Sequence, residues 1–277
     1  MNRKAESMRR VIIIFFALAC LGLSSGCEIV HTPVSLDTEG VEARVDYSML
    51  QETLNEAVTD EGQLVVEIVK RRRPGLLEQV TLLAVTGPTI TPEFFSTDMD
   101  RLAYWFNARA AWAIELPLRC EFSEDHAGER LLNRPFPLDG RMMTLCDIDA
   151  ILLGDADLRT VAAAPGVHYD RAAMPLTVFS AEDIRGRIVE RFGLFIDDPI
   201  RFKINVARKE VQVPSVIWNL RKQYVERHNH RFGTEGTDLL TALTWLVEGS
   251  AHRRLQNAVG YRLVGDNAPW CLAALLE

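Results

Sequence analysis

The sequence predicts a helix-rich α+β domain over residues 46–277, with a small antiparallel sheet in the form of a hairpin. Apolar residues recur every three or four positions through most of that stretch, which is the spacing of amphipathic helices. Residues 202–213 alternate instead, as a hairpin does. The composition, 48% hydrophobic and 25% charged, is that of a globular domain. It excludes a disordered tail, a collagen-like repeat and a polytopic membrane protein.

The chain begins with a different kind of segment. Arg9-Arg10 precede an apolar run from Val11 to Leu23, and Ser24-Ser25-Gly26-Cys27 follow. A basic start, a short apolar stretch and small residues describe a secretory signal. The 13 residues of that run fall short of the roughly 20 that span a bilayer. A cysteine directly after the small residues is the pattern of a lipoprotein signal peptide at 1–26, with Cys27 as the acylated mature N-terminus. Leu23 lies four places before Cys27 where three is preferred. Cys20 is the weaker alternative, and a plain secretory signal the blander one. Glu28 after the cysteine favours the outer membrane, facing the periplasm, in a Gram-negative cell. Residues 27–45 lack apolar periodicity and read as a tether. Without residues 1–26 the net charge falls from −7 to −10. So acidic a surface repels phosphate backbones and argues against nucleic-acid binding.

The elements follow in order. Tyr47, Leu50, Leu54 and Val58 share one face of a first helix. Met99, Leu102, Ala103, Phe106, Ala110, Ala113 and Ile114 form the stripe of a long helix that Pro117 stops. Thr144 caps a helix carrying Ile148, Ile151 and Leu152, with Asp147 in its first turn and Gly154 at its end. Ser180 with Asp183 imitates a capping box before Ile184, Ile188, Phe192 and Phe195, and Asp197-Asp198-Pro199 breaks that helix. Phe202, Ile204 and Val206 point one way in the first hairpin strand, and Val211 and Val213 resume the alternation. Ser215 opens a helix with Ile217, Leu220 and Tyr224, and Leu239 to Val247 give another. No Gly/Ser/Pro-rich linker and no repeat interrupts 46–277, which argues for a single domain.

Several of these segments, in this order, resemble the family called domain of unknown function 547. Tyr104-Trp105-Phe106-Asn107-Ala108 is similar to its hallmark helix, and Val58 through Gly62 with Leu64 to Val66 to its entry strand. Met143-Thr144-Leu145 with Asp147-Ile148, Val167-His168-Tyr169, Met174-Pro175-Leu176 and Phe179-Ser180-Ala181-Glu182 resemble later motifs. Val213-Pro214-Ser215-Val216-Ile217 and the closing Asp266, Trp270 and Leu272 complete the resemblance. It implies a fold and supplies no established reaction. Two departures stand out: Asp170-Arg171-Ala172-Ala173 replaces the family's Asn-Cys-Gly-Ser-x-Ser-Cys run, and Arg109-Ala110 replaces Tyr-Asn. Chemistry that used the missing cysteine cannot occur at that position.

Two functions compete. One is a membrane-tethered, non-catalytic binding or structural module, whose partners are membrane lipid through acylated Cys27 and a protein or small-molecule ligand. The other is a thiol-dependent hydrolase or transferase, in which Cys146 or Cys120 pairs with His168 and Asn107 orients the ring. In the first reading Asn107 is a buried clamp, bonded to the His168 loop or to the Asp266 to Trp270 segment, because an unpaired buried amide is costly. Once Cys20 and Cys27 are set aside, Cys120, Cys146 and Cys271 allow at most one disulfide. Cys120 with Cys146 would close the polar segment Glu121 to Arg141, although Cys271 could replace either partner.

The remaining candidates read more blandly. His228-Asn229-His230 points two ways at a helix end, and no Cys-x-x-Cys exists, so no metal is expected. No phosphate-cradling glycine loop is present and no cofactor is expected. Arg71-Arg72-Arg73-Pro74 reads as a solvated helix end, with anionic lipid as the alternative contact. Trp105, Trp112, Trp218 and Trp245 belong to the core, Glu115 to a helix surface and Asp183 to a cap.

Overall fold

A computed structural model of the protein describes residues 45–120, 129–265 and 273–275. The expected signal at 1–26, Cys27 with the tether to residue 44, the 266–270 segment and Cys271 lie outside the described residues. What is described belongs to a unit running from Glu42 to Glu277. Among the described residues no helix is long and apolar enough to cross a membrane.

Helix α1 (Ser48–Ala57) buries Leu50, Thr53, Leu54 and Ala57. Strand β1 (Leu64–Val65) runs directly into α2 (Val66–Val85). The Arg71 to Pro74 run lies inside α2, a correction to the solvated helix end expected of it. Pro74 removes one helical bond, while the arginines are held by carboxylates on neighbouring helices. Arg72 Nε donates to Glu56 at 2.7 Å, and Arg73 reaches Glu115 at 3.1 Å.

Helix α3 (Asp98–Arg119) opens with a Thr97–Asp100 capping box and is the axis of the fold. It packs against helices α2, α5 (Leu145–Leu153) and α7 (Ile184–Asp197). Every residue from Leu102 to Leu118 is therefore buried, where the sequence shows one apolar stripe. Pro117 sits in its last turn and does not stop it. Glu115, expected on the surface, is fully buried between Arg73 and Arg119.

Past α4 (Glu129–Leu132), strands β2 (Phe136–Leu138) and β3 (Arg141–Met143) form a hairpin. Its turn, Asp139-Gly140, has φ of 51° and 72°, the left-handed pair that suits such a tight connection. Phe136 stacks on Trp112 of α3 at 4.2 Å, so the segment read as polar contributes to the core. The Cys120–Cys146 disulfide is not formed, since both thiols are free. Side-chain packing anchors the hairpin, and each sulfur has its own surroundings. Arg134 Nη1 donates to Cys120 Sγ at 2.7 Å.

Thr144 and Asp147 form a full capping box on α5, and α6 (Arg159–Ala163) follows. The Ser180 N–H donates to Asp183 at 3.1 Å ahead of α7, one half of the expected box. That helix ends at Asp197, before Pro199. Strands β4 (Lys203–Asn205) and β5 (Glu210–Val213) make the expected hairpin with Ile204 opposite Val211. Val206 does not point inward with Phe202. It is 69% exposed, because β4 has already ended and the chain is turning.

The helix expected from Ser215 is two, α8 (Ser215–Asn219) and α9 (Arg221–Phe232), parted at Leu220. After α10 (Leu239–Thr244) and α11 (Gly249–Gln256), β6 (Arg262–Gly265) joins β5 in parallel and makes that sheet mixed. Finally β7 (Ala274–Leu275) pairs in parallel with β1. The fold is helix-rich α+β.

Candidate functional site

Side chains of three helices meet the loop 164–180: Asn107 and Arg109 from α3, Asp149 from α5, and Arg187 and Arg191 from α7. Asn107 lies on α3 with no exposure. Its Nδ2 donates to the Phe179 carbonyl at 2.9 Å, and its Oδ1 accepts from the Phe179 N–H at 2.8 Å. The amide therefore does the work of a short piece of sheet. Burial pushes the half-buried Tyr47 hydroxyl well above its usual range, and a bond with Asn107 opposes that. Of the two partners expected for Asn107, the His168 loop is met instead by Arg109, two residues further along α3, and the Asp266 to Trp270 segment lies outside the described residues.

Arg109 donates to the Pro165 carbonyl and, through Nε, to Asp149 of α5 at 2.7 Å. Arg171 reaches the other oxygen of Asp149 at 3.0 Å. Burial alone would raise the Asp149 carboxyl, but the two guanidinium groups outweigh it and hold it below its usual range. These two arginines are the departures noted in the sequence, and they meet on one carboxylate. His168 is 3% exposed, and its carbonyl accepts from the Arg171 N–H at 3.1 Å.

Cys146 is the second residue of α5, three residues before Asp149. Burial and then Asp149 raise its thiol, with Arg171 and Arg109 acting the other way. A nucleophilic thiol requires the opposite balance. Trp105 and Trp112 are buried and Trp218 and Trp245 pack partly buried against the core. His228 lies 4.7 Å from the Phe232 ring, within the aromatic packing around α9. Among the described residues no group of three or more His, Cys, Asp or Glu could hold a metal ion.

Beyond the Phe179 clamp lies an arrangement that the sequence reading missed. Arg187 and Arg191, one helical turn apart on α7, both lie over the Phe179 ring, at 4.0 and 5.5 Å. Arg187 gives N–H groups to the carbonyls of Val178 and Thr177, and Arg191 to those of Ala163 and Ala173. Arg201, from the turn after α7, donates Nε to the Arg171 carbonyl at 2.9 Å and Nη1 to Asp198. These three arginines line a cavity of about 500 Å³. Gly62 closes its far wall at φ 73°, where a Cβ would come within 2.4 Å of Ala173. The only sequence signal was the i, i+4 spacing of Arg187 and Arg191, which is ordinary on a helix surface. A second cavity, of about 390 Å³ and lined by Tyr47, Phe94, Tyr104 and Phe179, lies on the other side of the clamp.

Comparisons of the chain with protein-family models, curated proteins and solved structures return no match.

Proposed function

We propose that the chain is a membrane-tethered envelope lipoprotein, anchored through acylated Cys27 (to the outer membrane if the cell is Gram-negative), whose domain is a non-catalytic binding or structural module. A divergent relationship to the domain of unknown function 547 family belongs to the same proposal. The observation that carries the non-covalent reading is the setting of Cys146. Its thiol is raised by burial and by Asp149, so the cysteine on the helix beside the His168 loop is held away from the thiolate. Both polar atoms of the Asn107 amide bond the Phe179 backbone, and the amide also meets the Tyr47 hydroxyl, which supports a structural use of that residue over orienting a base. The rival thiol enzyme has one contact on its side, the Arg134 guanidinium against the Cys120 sulfur.

One experiment addresses both halves of the proposal. Wild-type and Cys27→Ser chains are fractionated, and the cysteines are then labelled with a mild alkylator at neutral pH and mapped by peptide. Wild type should be found with the membranes, the variant should be released or remain unprocessed, and Cys120 and Cys146 should label slowly. Unchanged fractionation removes the lipid anchor. Rapid labelling of either thiol in the folded chain favours the enzyme.

A further inference from the structure

We infer that the cavity between α7 and the 172–177 segment binds a small amphipathic molecule through a carboxylate or phosphate group, held by Arg187, Arg191 and Arg201. The inference deepens the binding-module reading and rests on it. Its first support is an unused donor. Arg201 is 6% exposed and lines the cavity, yet among the described residues its buried Nη2 has no hydrogen-bond partner. A buried guanidinium N–H without an acceptor is costly, and because this one is sealed from the cavity, an anion would reach it only after a shift of the Arg201 side chain.

The second support is charge. Among the described residues Arg191 forms no ion pair, and the carbonyls of Ala163 and Ala173 satisfy its geometry without neutralising it. Arg187 is also carbonyl-bound, with only the half-exposed Asp183 at 3.8 Å. Asp198 is committed to Arg201. Burial first, and then the neighbouring Arg187 and Arg201, pull the Arg191 guanidinium down to about 9. An entering anion would offset the repulsion among the three guanidinium groups.

Shape and surroundings define the class of ligand further. The volume falls in the range of about 300–1,000 Å³ found for small-molecule sites, larger than a bare phosphate needs. Met174, Pro175, Leu194 and Phe195 supply an apolar wall beside the arginines, which suits an uncharged or apolar body behind the anionic head. Asp60, Glu61 and Glu190 are exposed around the same cavity. Such a rim repels an extended anionic surface, so a free small molecule fits better than a lipid headgroup lying in a bilayer.

The test is calorimetric titration of the full-length protein with phenyl phosphate, benzoate, benzyl alcohol as the neutral control, and glycerophosphoglycerol as a lipid headgroup without chains. Phenyl phosphate or benzoate should bind in the submillimolar range and benzyl alcohol should not. Arg201→Gln should weaken binding about tenfold or more, the scale of a lost charge-assisted hydrogen bond. Leu194→Glu places a carboxylate at the cavity from a residue already 63% exposed, so it leaves the core alone and should weaken binding similarly. If Arg201→Gln does not fold, Leu194→Glu decides. The inference is overturned if neither anion binds, if benzyl alcohol binds as well as they do, if Leu194→Glu has no effect, or if only glycerophosphoglycerol binds. Any of these leaves the non-covalent reading standing, because that depends on the labelling of Cys120 and Cys146.

Discussion

Arg109 and Arg171 close on the partly buried Asp149, and Arg73 and Arg119 close on the buried Glu115, so that each carboxylate serves two guanidinium groups. On the other side of the 164–180 loop, Arg187 and Arg191 are held mainly by backbone carbonyls. The two regions use the same side chain, and hydrogen bonding does not favour the carboxylate side, where among the described residues Arg171 Nε and Nη1 are buried without a partner. They differ in charge balance. A carbonyl meets the directional needs of a guanidinium without cancelling its charge, whereas a carboxylate does both. The lesson is that counting hydrogen bonds does not separate a structural arginine from one able to receive an anion.

The sharpest way to break this comparison is to remove the carboxylate from the balanced side. Asp149→Ala strands two buried cations and should lower stability by about 3–5 kcal/mol, measured by urea denaturation. Because the Asp149 carboxyl is depressed below its ordinary 3.8 in the folded state, its contribution is fully present above that value. It is lost as the pH falls through the lower folded value. The wild-type acid unfolding limb should therefore flatten in Asp149→Ala. A loss under about 1 kcal/mol would place the pair among ordinary surface bridges and remove the distinction.

Asn107→Ala tests the clamp between the two regions. It leaves the Phe179 N–H and carbonyl without their amide and should cost about 1–3 kcal/mol. Since Phe179 carries Arg187 and Arg191 on its ring, phenyl phosphate binding should weaken as well. Wild-type stability in this variant would show that Phe179 needs no anchor. The smallest effect belongs to Asp183→Asn. This carboxylate is half exposed and 3.8 Å from an arginine already bound to carbonyls, so stability should stay within about 0.5 kcal/mol of wild type. A larger loss would mean that Arg187 is neutralised after all.

What the sequence disclosed and what it hid divide along physical lines. Thr144 with Asp147 and the Ile204–Val211 hairpin were legible because capping and alternation are local. The β2–β3 hairpin was not read, because its three-residue strands and Pro137 make it look like a polar loop, although Asp139-Gly140 suits its tight turn. The buried state of Asn107 followed from its place on an apolar stripe, but its partner did not. Phe179 lies far along the chain, and nothing local distinguishes its backbone from that of the His168 loop. Glu115 was misread because one helix pattern cannot show how many neighbours surround it. The cavity was hidden for the same reason, since Arg201 and Arg187 meet only after α7 has turned back at Asp198.

The parallel pairing of β1 with β7 bears on how the chain acquires its fold in time. Leu64 and Ala274 stand at opposite ends of the domain, and β5 likewise waits for Arg262–Gly265. A ribosome emitting this chain from its N-terminus has released β1 and the β4–β5 hairpin long before their parallel neighbours exist. Loop closure over such separations is slow relative to helix formation. The nascent chain should therefore pass through an interval in which its helices can form while two strand edges stay unpaired. Those edges are the places where a holding chaperone would have most to cover.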